Sequence, residues 1–318
     1  MNSKVSVVIS VWNRVKEIKI AIDSILVQDY EDVEIIVVDN HSTDGTVDYL
    51  KSLSSSVNLI LMDHSNYSAM ETLNNGFRKA TGEYILVMDD DAYLTRPDDI
   101  SNLVQLMNSN PNAAIIATNV IDIYGNVAIQ FKDENFNTVT IDTFDHQLTR
   151  PFKYIDFSGA VALFRKDLVE QVGFYDEKLF IYWNEADLAL KMIAIGHDVI
   201  YAPNIRPVHL ASMTNRVHCR NHFYYIRNGN RIINENLGIR ERLVLVPLRT
   251  IVYSLKYIRE CKPGLKTVCK LMMDNLKSFI GIFYGERLIY TNEETHLWVR
   301  KIYTRFFWKD LYFQIFKV

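Results

Sequence analysis

The chain of 318 residues has an ordinary globular composition, with 48% hydrophobic residues, 23% charged residues and a formal net charge of −3. This balance excludes a disordered or low-complexity chain and gives no reason to expect a nucleic-acid partner. No uncharged apolar run approaches the roughly 18 residues of a membrane span. The start of the chain has a strand pattern rather than a signal-peptide layout, and three cysteines in no zinc-binding pattern favour a reduced chain. We therefore expect a cytoplasmic protein.

The first ninety residues alternate between strand patterns and helix patterns. Continuous β-branched runs predict strands buried on both faces, and apolar residues at helical spacing predict the helices between them. The predicted strands are VSVVISVW (Val5–Trp12), VEIIVVD, VNLILMD and YILVMDDD, and the predicted helices are Val15–Val27, DGTVDYLKSL and Ser68–Ala80. Strands and helices that alternate through short connections indicate an α/β fold with a doubly wound, mostly parallel sheet.

Beyond residue 110 the pattern is less regular. AAIIATNV and DVIYAP predict strands, YIDFSGAVALFRKDLVEQVG predicts a strand and then a helix, and ADLALKMIAIG predicts a helix that ends at Gly196. Residues 120–153 are compatible with a hairpin. The predicted division is a domain of residues 1–212, with halves of about 1–110 and 111–212, and a basic, aromatic, mainly helical region of residues 213–318.

Polar residues follow each of the four predicted N-terminal strands. They are Asn13 and Arg14 after the first strand, Asp39 and Asn40 after the second, Asp63, His64 and Asn66 after the third, and Asp89, Asp90 and Asp91 after the fourth. In an open parallel sheet, ligands bind at the carboxyl edge of the strands. Solvated loops are also polar, but four such endings in succession favour a binding site.

The segment MDDDA places three carboxylates directly after a buried strand. Because alternate strand residues point to the same side, Asp89 and Asp91 can face one point while Asp90 turns away. Two converging carboxylates suit a hard divalent cation, Mg²⁺ or Mn²⁺, which is usually shared with substrate phosphates. A solvated acidic loop and a helix cap are the alternatives. His209, after a later strand, is a candidate third metal or phosphate ligand, although a lone histidine is often structural.

Two residues at the first strand ends are candidates for binding a nucleotide. Asp39 directly follows an apolar run and could accept hydrogen bonds from the N–H of a base, although an N-cap or Asx-turn role is also open. Arg14 could contact phosphate or lie on the surface.

The segment FIYWNEADLALK is a second candidate site. Glu185 and Asp187 lie at the start of an amphipathic helix, behind mostly aromatic residues. A carboxylate walled by Tyr182 and Trp183 would be partly desolvated, which raises its pKa and suits a general base. Acids at a helix N-terminus also complement the helix dipole. We assign that role to Asp187 and the chemical role to Glu185.

Five ordered blocks together resemble glycosyltransferase family 2, whose members are inverting enzymes with the GT-A fold. The blocks are VSVVISVWNR, IIVVDNHSTDGT, NNGFRKATGEYILVMDDDA, DFSGAVALFRKDLVEQVGFYDEKLFIYWNEADLALK and GHDVIYAPNIRPVHLAS. Within the family, the chain is most similar to the bacterial rhamnosyltransferase-like group. YYIRNGNRII (Tyr224–Ile233) resembles the RN-containing segment that follows the catalytic domain in that group.

The resemblance implies a role for each candidate residue. Glu185 would deprotonate the acceptor hydroxyl, and Asp91, together with Asp89 and His209, would hold the metal. The donor nucleotide would be bound by Val11, Asn13, Arg14, Asp39, Asn66, Asn74 and Asp90. The pocket for the donor sugar and the acceptor would be framed by Asp156, Ser158, Gly159, Trp183 and Asn184. Residues 1–110 would then be the donor half and residues 111–212 the acceptor half of the catalytic domain.

Three positions depart from the pattern of the family. The family often has Glu-Asp at the base position, where this chain has Asn184-Glu185. Where N-x-G is common, this chain has Asn66–Ser68, and Leu73 stands where an arginine often precedes a second N-x-G. The departures leave the reaction class intact and put the donor in doubt.

The expected function is metal-dependent transfer of a sugar from a UDP- or dTDP-sugar to a hydroxyl of a glycan or lipid-linked saccharide, in the synthesis of cell-surface polysaccharide or glycoconjugate. A catalytically inactive, nucleotide-sugar-binding relative is the alternative. A nucleotidyltransferase or a nicotinamide dehydrogenase would need a glycine-rich loop after the first strand, where VWNRVKE has no glycine. A phosphatase with an aspartyl nucleophile would carry its DxD after the first strand.

The charge of the chain is concentrated toward the C-terminus. Residues 215–318 carry 19 Lys/Arg and 8 Asp/Glu, whereas the preceding residues carry 16 and 30. Basic residues alternate with apolar ones there, which is typical of helices that lie on an anionic membrane surface. We therefore expect a peripheral contact at the inner face of the membrane, with packing against the catalytic domain or a dimer contact as alternatives. An oligomer is compatible with the sequence.

Overall fold

The computed structural model describes residues 3–63, 68–125, 131–132, 138–139, 152–154, 156–211, 218–284 and 290–316. The strands are β1 (Val5–Val11), β2 (Val33–Asp39), β3 (Val57–Leu61), β4 (Tyr84–Asp89), β5 (Ala92–Tyr93), β6 (Ala113–Thr118), β7 (Phe131–Lys132), β8 (Thr138–Val139), β9 (Phe152–Tyr154), β10 (Val161–Arg165), β11 (Asp198–Ala202) and β12 (Val208–His209). The helices are α1 (Val15–Leu26), α2 (Thr46–Ser52), α3 (Ala69–Lys79), α4 (Asp99–Ser109), α5 (Lys166–Gln171), α6 (Asn184–Ala194), α7 (His218–Asn236), α8 (Ile239–Cys261), α9 (Leu265–Tyr284) and α10 (Glu293–Phe316), with a short 3₁₀ helix at Glu177–Leu179.

The central sheet has eight strands in the order β3-β2-β1-β4-β10-β6-β11-β9. The chain runs outward from β1 to β3 and returns to β4 on the other side of β1, and these four strands are parallel. β10 is antiparallel to both β4 and β6, β11 is parallel to β6, and β9 is antiparallel to β11. The predicted doubly wound, mostly parallel sheet is confirmed, and its switch point lies at β1.

Alternation along the strands places two apolar layers on the two faces of the sheet. Val8, Ile36 and Val38 belong to one cluster, whereas Val7 and Val37 belong to the other. Both layers are continuous because the strands are covered by helices on both sides, as the unbroken apolar runs predict. This packing fixes the positions of the strand ends relative to one another, as a site at the carboxyl edge of the sheet requires.

The strand pairing sets which polar residues meet at that edge. In the register of the sheet, Val11 at the end of β1 lies beside Asp39, and Ser10 lies beside Asp89. A separate two-stranded ladder pairs β5 with β12 and places His209 opposite Ala92. The predicted hairpin in residues 120–153 lies mostly outside the described residues, although β7 and β8 form an antiparallel pair.

The C-terminal helices share a core with the sheet domain. The cluster that contains Val8 also contains Ile193 of α6, Ile232 of α7 and Phe307 of α10. The boundary near residue 212 stays a prediction, because residues 212–217 are outside the described ranges. None of the helices in the described ranges is long and apolar enough to cross a membrane.

The expectation of a fully reduced chain is wrong, because the chain contains a disulfide bond. Cys261 is disulfide-bonded, whereas Cys269 is a free and exposed thiol.

Candidate active site

The loops after β1 and β2 are tied together at the carboxyl edge of the sheet. The backbone N–H of Asn13 donates to Ser42 Oγ at 2.8 Å, and the N–H of Thr43 donates to Asn13 Oδ1 at 2.7 Å. Asn13 has a φ of 53°, which is a left-handed conformation that asparagine tolerates better than most residues. The Asn13 side chain therefore connects the loop after β1 to the loop after β2.

Asp39 ends β2 as a fully buried carboxylate. Its Oδ1 accepts the backbone N–H of Ser42, three residues on, at 2.8 Å, so this oxygen holds the loop that follows β2. Its buried Oδ2 has no hydrogen-bond partner among the described residues. A buried oxygen without a donor costs free energy, so a ligand that supplies an N–H here would be bound preferentially.

Asp89, Asp91 and His209 converge on one point. One ligand atom from each lies within 4.8 Å of the others, and His209 Nε2 is 2.9 Å from Asp91 Oδ1 and 3.7 Å from Asp89 Oδ2. The β5–β12 ladder brings His209 across 118 positions of sequence to this point. The backbone N–H of Leu210 donates to the carbonyl of Asp91 at 2.8 Å and fixes the two segments together.

Arg14 contacts the same carboxylate from the other side. Its Nη1 lies 3.0 Å from Asp91 Oδ2, and both side chains are buried. Asp90 turns toward β1, where its carboxylate accepts the backbone N–H of Trp12, and burial raises the pKa of Asp90 to about 8. The side chains of Asp89 and Asp91 therefore point toward His209, whereas that of Asp90 points toward the backbone of Trp12.

Glu185, in the first turn of α6, lies against Gly159. A Cβ on Gly159 would lie 2.6 Å from Glu185 Oε1, so only glycine allows this approach. Burial raises the pKa of Glu185 to about 8, and the carboxylates of Asp156 and Asp89 also raise it. A poised base of this kind can exchange a proton with a bound hydroxyl near neutral pH.

Asp156 and Tyr175 complete the surroundings of Glu185. Burial raises the pKa of Asp156 to about 7, although the N–H of Phe157 donates to its Oδ1 at 2.8 Å. Burial also raises the pKa of the Tyr175 phenol, as do the carboxylates of Glu185, Asp89 and Asp156. Tyr175 therefore stays neutral and can donate a hydrogen bond into an acidic site. Tyr175 was not singled out from the sequence, where it is one aromatic residue among several in FYDEKLFIYW.

Other candidates for the donor and sugar pockets make contacts within the protein. Asn74 is buried and bonds both the carbonyl and the N–H of Tyr175, at 2.9 and 3.2 Å. The Trp183 ring packs against Phe307 at 5.4 Å between centroids, in the C-terminal region. The binding roles assigned to these residues stay predictions.

The remaining candidates lie close to the site, with one exception. Asn184 is buried and hydrogen-bonds Glu185, and Ser158 is buried beside Gly159. The side chain of Val11 is buried, and its carbonyl accepts the N–H of Asn40 at 2.9 Å. Asn66 lies outside the described residues.

A family model and the relatives found by sequence comparison all indicate the same family of proteins. The family model for "Glycosyl transferase family 2" matches residues 6–173. A GalNAc(5)-diNAcBac-PP-undecaprenol beta-1,3-glucosyltransferase of Campylobacter jejuni is 30% identical over 190 residues, which are 58% of this chain and 58% of that protein. An uncharacterized glycosyltransferase of Rickettsia typhi is 28% identical over 221 residues, which are 66% of each chain. The chain thus spans between half and two thirds of these relatives.

Solved structures show the same fold at low sequence identity. A mannosyltransferase from Pyrobaculum calidifontis, solved with GDP-Man and Mn²⁺, has a TM-score of 0.61 and 17% identity, covering 100% of this chain and 88% of its own. TarS of S. aureus (residues 1–349) has a TM-score of 0.61 and 16% identity, covering 88% and 80%. These likenesses confirm the predicted GT-A fold.

Proposed function

Because the chain belongs to glycosyltransferase family 2, we propose that it transfers a sugar, with inversion, from a nucleotide-diphosphate sugar to a hydroxyl of a saccharide acceptor. One observation carries this proposal. The Asp89–Asp91–His209 group and the half-buried carboxylate of Glu185 lie at the same edge of the sheet, close enough for Asp89 to raise the pKa of Glu185. A diphosphate leaving group and an acceptor hydroxyl can therefore be held on two sides of one sugar.

The ligand atoms of the group fit a divalent metal. Two carboxylates and an imidazole converge within 4.8 Å, and Arg14 limits the net negative charge by pairing with Asp91. Carboxylate oxygens suit both Mg²⁺ and Mn²⁺, and a nitrogen ligand favours Mn²⁺ because Mg²⁺ is usually bound by oxygen alone. When bound, such a metal neutralises charge on the departing diphosphate. Asp89, Asp91 and His209 would hold it.

Glu185 is the proposed catalytic base. Its carboxylate would take the proton of the acceptor hydroxyl as the hydroxyl oxygen attacks the anomeric carbon. The bond from that carbon to the diphosphate breaks, and the diphosphate leaves with the electron pair. The neutral phenol of Tyr175 and the carboxyl of Asp156 would orient sugar hydroxyls beside the base. No covalent enzyme intermediate is needed, so the anomeric configuration inverts.

The nucleotide is proposed to be uridine or thymidine diphosphate. The buried Oδ2 of Asp39 has no donor among the described residues, and the imide N–H of uracil or thymine could donate a hydrogen bond to it. The closed loop formed by Asn13 and Thr43 would lie beside the base. The donor sugar and assignment to the rhamnosyltransferase-like group stay predictions.

The acceptor is proposed to be a glycan or a lipid-linked saccharide for cell-surface polysaccharide or glycoconjugate. The Campylobacter relative is named for a polyprenol-linked acceptor. In this chain, α8 and α9 expose large apolar residues between lysines and arginines. Such a surface would hold the protein peripherally at the inner face of the membrane, where a lipid-linked acceptor is presented.

A thermal-shift panel of nucleoside diphosphates and nucleotide sugars, each with and without Mn²⁺, tests the proposal. A ligand at about 100 times its Kd stabilises the native state by about 2.7 kcal/mol. We expect a Mn²⁺-dependent shift with UDP or dTDP that Asp91→Ala abolishes. Asp98→Ala is the matched control, because Asp98 is a surface carboxylate whose side-chain contacts are with the nearby Arg96 and Asn102.

Transfer from the binding nucleotide sugar is then measured with saccharide acceptors. Release of the diphosphate only when an acceptor is present supports the transferase. Metal-dependent binding without release, across the donor and acceptor panel, indicates instead the inactive relative. The absence of any nucleotide-dependent shift overturns the proposal.

A further inference from the structure

The segment that leads into the proposed base has an unusual backbone. Phe180, Tyr182 and Trp183 all have positive φ angles, of 63°, 66° and 67°. Positive φ is unfavourable for bulky aromatic residues, and residues in this region persist only where the surrounding structure holds them there. The contacts of the surrounding structure must therefore hold this segment in place.

One side chain of α7 supplies much of that hold. Asn228 is buried, and its Nδ2 lies 2.7 Å from the carbonyl of Leu179, 2.9 Å from that of Ile181 and 2.9 Å from that of Tyr182. A single amide thus serves three carbonyls that point inward because of the left-handed turns. The neighbouring Arg227 donates to the carbonyl of Lys178.

Charged contacts fix both ends of the segment to the same helix bundle. Arg231 of α7 forms an ion pair with Asp176, just before the segment. At the other end, Trp183 packs against the guanidinium of Arg249, which is fully buried and lies 5.5 Å from the ring. Arg249 Nη1 in turn donates to the carbonyl of Ile226 at 3.0 Å.

The geometry of this segment is passed directly to the base. Trp183 is the N-cap of α6, and its carbonyl accepts the N–H of Asp187 at 2.9 Å, although no side chain caps the helix. Glu185 is the second residue of α6, so the direction of its carboxylate depends on the conformation of Tyr182 and Trp183.

We propose that Asn228 is a positioning residue for Glu185, through which the C-terminal helices complete the catalytic site. The proposal rests on the transferase function given above. Asn228 does not touch substrate. It acts by holding the carbonyls of Leu179, Ile181 and Tyr182, and it thereby keeps α6 and its base against Gly159. Asn228 lies within Tyr224–Ile233, the segment that resembles the RN-containing segment of the rhamnosyltransferase-like group. Its contacts with the carbonyls before Glu185 would give that segment a role in the reaction.

Asn228→Asp tests the proposal in the full chain, because it keeps the size of the side chain and removes its N–H donors. Asn228→Ala is the second variant. We expect hydrogen exchange of the peptide covering residues 176–187 to accelerate without any ligand present. We also expect kcat to fall by up to about 100-fold, as misplacement of a catalytic group by about 1 Å can cause. The affinity for the nucleoside diphosphate with Mn²⁺ should stay unchanged.

Asn234→Asp and Asn234→Ala are the matched controls. Asn234 is a buried asparagine on the same helix, and its Nδ2 donates at 3.0 Å to the carbonyl of Ser278 in α9, away from the base segment. These variants should lower the thermal midpoint without changing kcat, the exchange of residues 176–187 or the pH at which the rate falls. Only the Asn228 variants should move that pH, because a loosened Glu185 is hydrated and titrates lower.

The outcomes separate the two proposals. Unchanged exchange at residues 176–187 in both Asn228 variants overturns the positioning role, whatever the activity. Equal losses of kcat in the Asn228 and Asn234 variants also overturn it, because they indicate loss of stability alone. If the wild-type chain transfers no sugar, the proposed function fails, while faster exchange in the Asn228 variants still supports their hold on the segment.

Discussion

As the proposed catalytic base, Glu185 must meet two demands that conflict for a carboxylate in water. A base must be ionised to accept a proton, yet its proton affinity must be high enough to compete for a sugar hydroxyl. Burial raises the pKa of Glu185 to about 8, and the carboxylate of Asp156 adds to that effect. The free enzyme should therefore lose kcat/KM as the pH falls below about 8, since the protonated carboxyl cannot act as a base.

Replacement of the base should separate binding from chemistry. Glu185→Gln keeps the shape of the side chain, so the Kd of the nucleoside diphosphate should change little, whereas turnover should fall by about 100-fold or more. Glu170→Gln is the control, because Glu170 is an exposed acid that pairs with Lys166 on the surface. Parallel measurement of diphosphate release and of nucleotide binding checks the prediction. Turnover by Glu185→Gln at the control rate would remove Glu185 from its role.

The same pKa shift has a cost in stability. The pKa of Glu185 in the folded protein, about 8, lies above its ordinary value of 4.5. The folded state therefore binds the proton more tightly than the unfolded state, and stability from this group falls as the pH rises from about 4.5 to about 8. Glu185→Gln removes this titration. We expect the free energy of unfolding of the variant, measured in urea, to increase relative to that of the wild type as the pH rises from 5 to 8. A constant difference across that range would contradict the shift.

Gly159 should be needed for its lack of a side chain. A Cβ there would lie 2.6 Å from Glu185 Oε1, so Gly159→Ala should displace the carboxylate and lower kcat by about 10- to 100-fold. Nucleotide affinity should be retained, because Asp39 and Asp91 are untouched. Gly264→Ala is the control, since no heavy atom lies within 4 Å of its added Cβ. Steady-state kinetics of both variants decide the matter, and equal kcat values would refute the steric argument.

At the scale of elements, the N-terminal half is predictable because its signals are local. The apolar runs of β1, β2 and β4 are continuous, and Ser68 caps α3 with Glu71 in a capping box. Residues that end strands are placed by those strands, so Asp39 and Asp91 follow from the pattern. The positions of residues on short elements with distant partners cannot be predicted from the local pattern. The β5–β12 ladder pairs two-residue strands, and nothing local in VH shows that His209 will reach Asp91.

Side-chain direction was the less predictable part of the site. Trp183 has a left-handed backbone and its indole packs against Phe307 in α10, so its expected place beside the base stays a prediction. The amide of Asn74 bonds the backbone of Tyr175, and its expected contact with the donor stays a prediction. Both partners come from segments distant in sequence. The sequence pattern identifies which residues can act, whereas long-range packing decides which way they point.

The packing of α3 on the sheet gives a prediction at this scale. Gly76 lies within α3, and an added Cβ would lie 2.4 Å from Val8 Cγ1 of β1. Alanine improves helix propensity by about 1 kcal/mol. Overpacking against β1 costs about 1–3 kcal/mol. Gly76→Ala should therefore lower the free energy of unfolding in a urea titration, and a rise would show that α3 can shift without cost. Gly264→Ala again serves as the control.

The whole molecule is divided by charge. Residues 215–318 carry 19 Lys/Arg and 8 Asp/Glu, although the chain as a whole has a net charge of −3. Within that basic region, α8 and α9 expose large apolar side chains: Leu243, Val244, Ile251, Leu255 and Ile258 on α8, and Leu265, Met272, Met273, Leu276, Ile280 and Phe283 on α9. Apolar residues that stay exposed in such number mark an interaction surface. Their basic neighbours suit an anionic lipid surface.

The full chain should therefore bind vesicles that contain phosphatidylglycerol, and binding should weaken as salt rises. Leu255 and Leu276 are 63% and 52% exposed, so glutamate at both positions should leave the fold intact. Burial of a leucine in lipid contributes about 1.5–3 kcal/mol. Loss of both should weaken vesicle binding by at least about 100-fold in co-sedimentation.

Ile123→Glu is the matched control, because Ile123 is 57% exposed and belongs to the sheet domain rather than to α8 or α9. It should bind vesicles as the wild type does. If the double variant also binds as the wild type does, the membrane contact lies elsewhere on the chain. If the wild type does not bind anionic vesicles, sedimentation velocity of both proteins tests the dimer alternative. A wild-type dimer that Leu255→Glu with Leu276→Glu converts to a monomer would assign the same surface to a second copy of the chain.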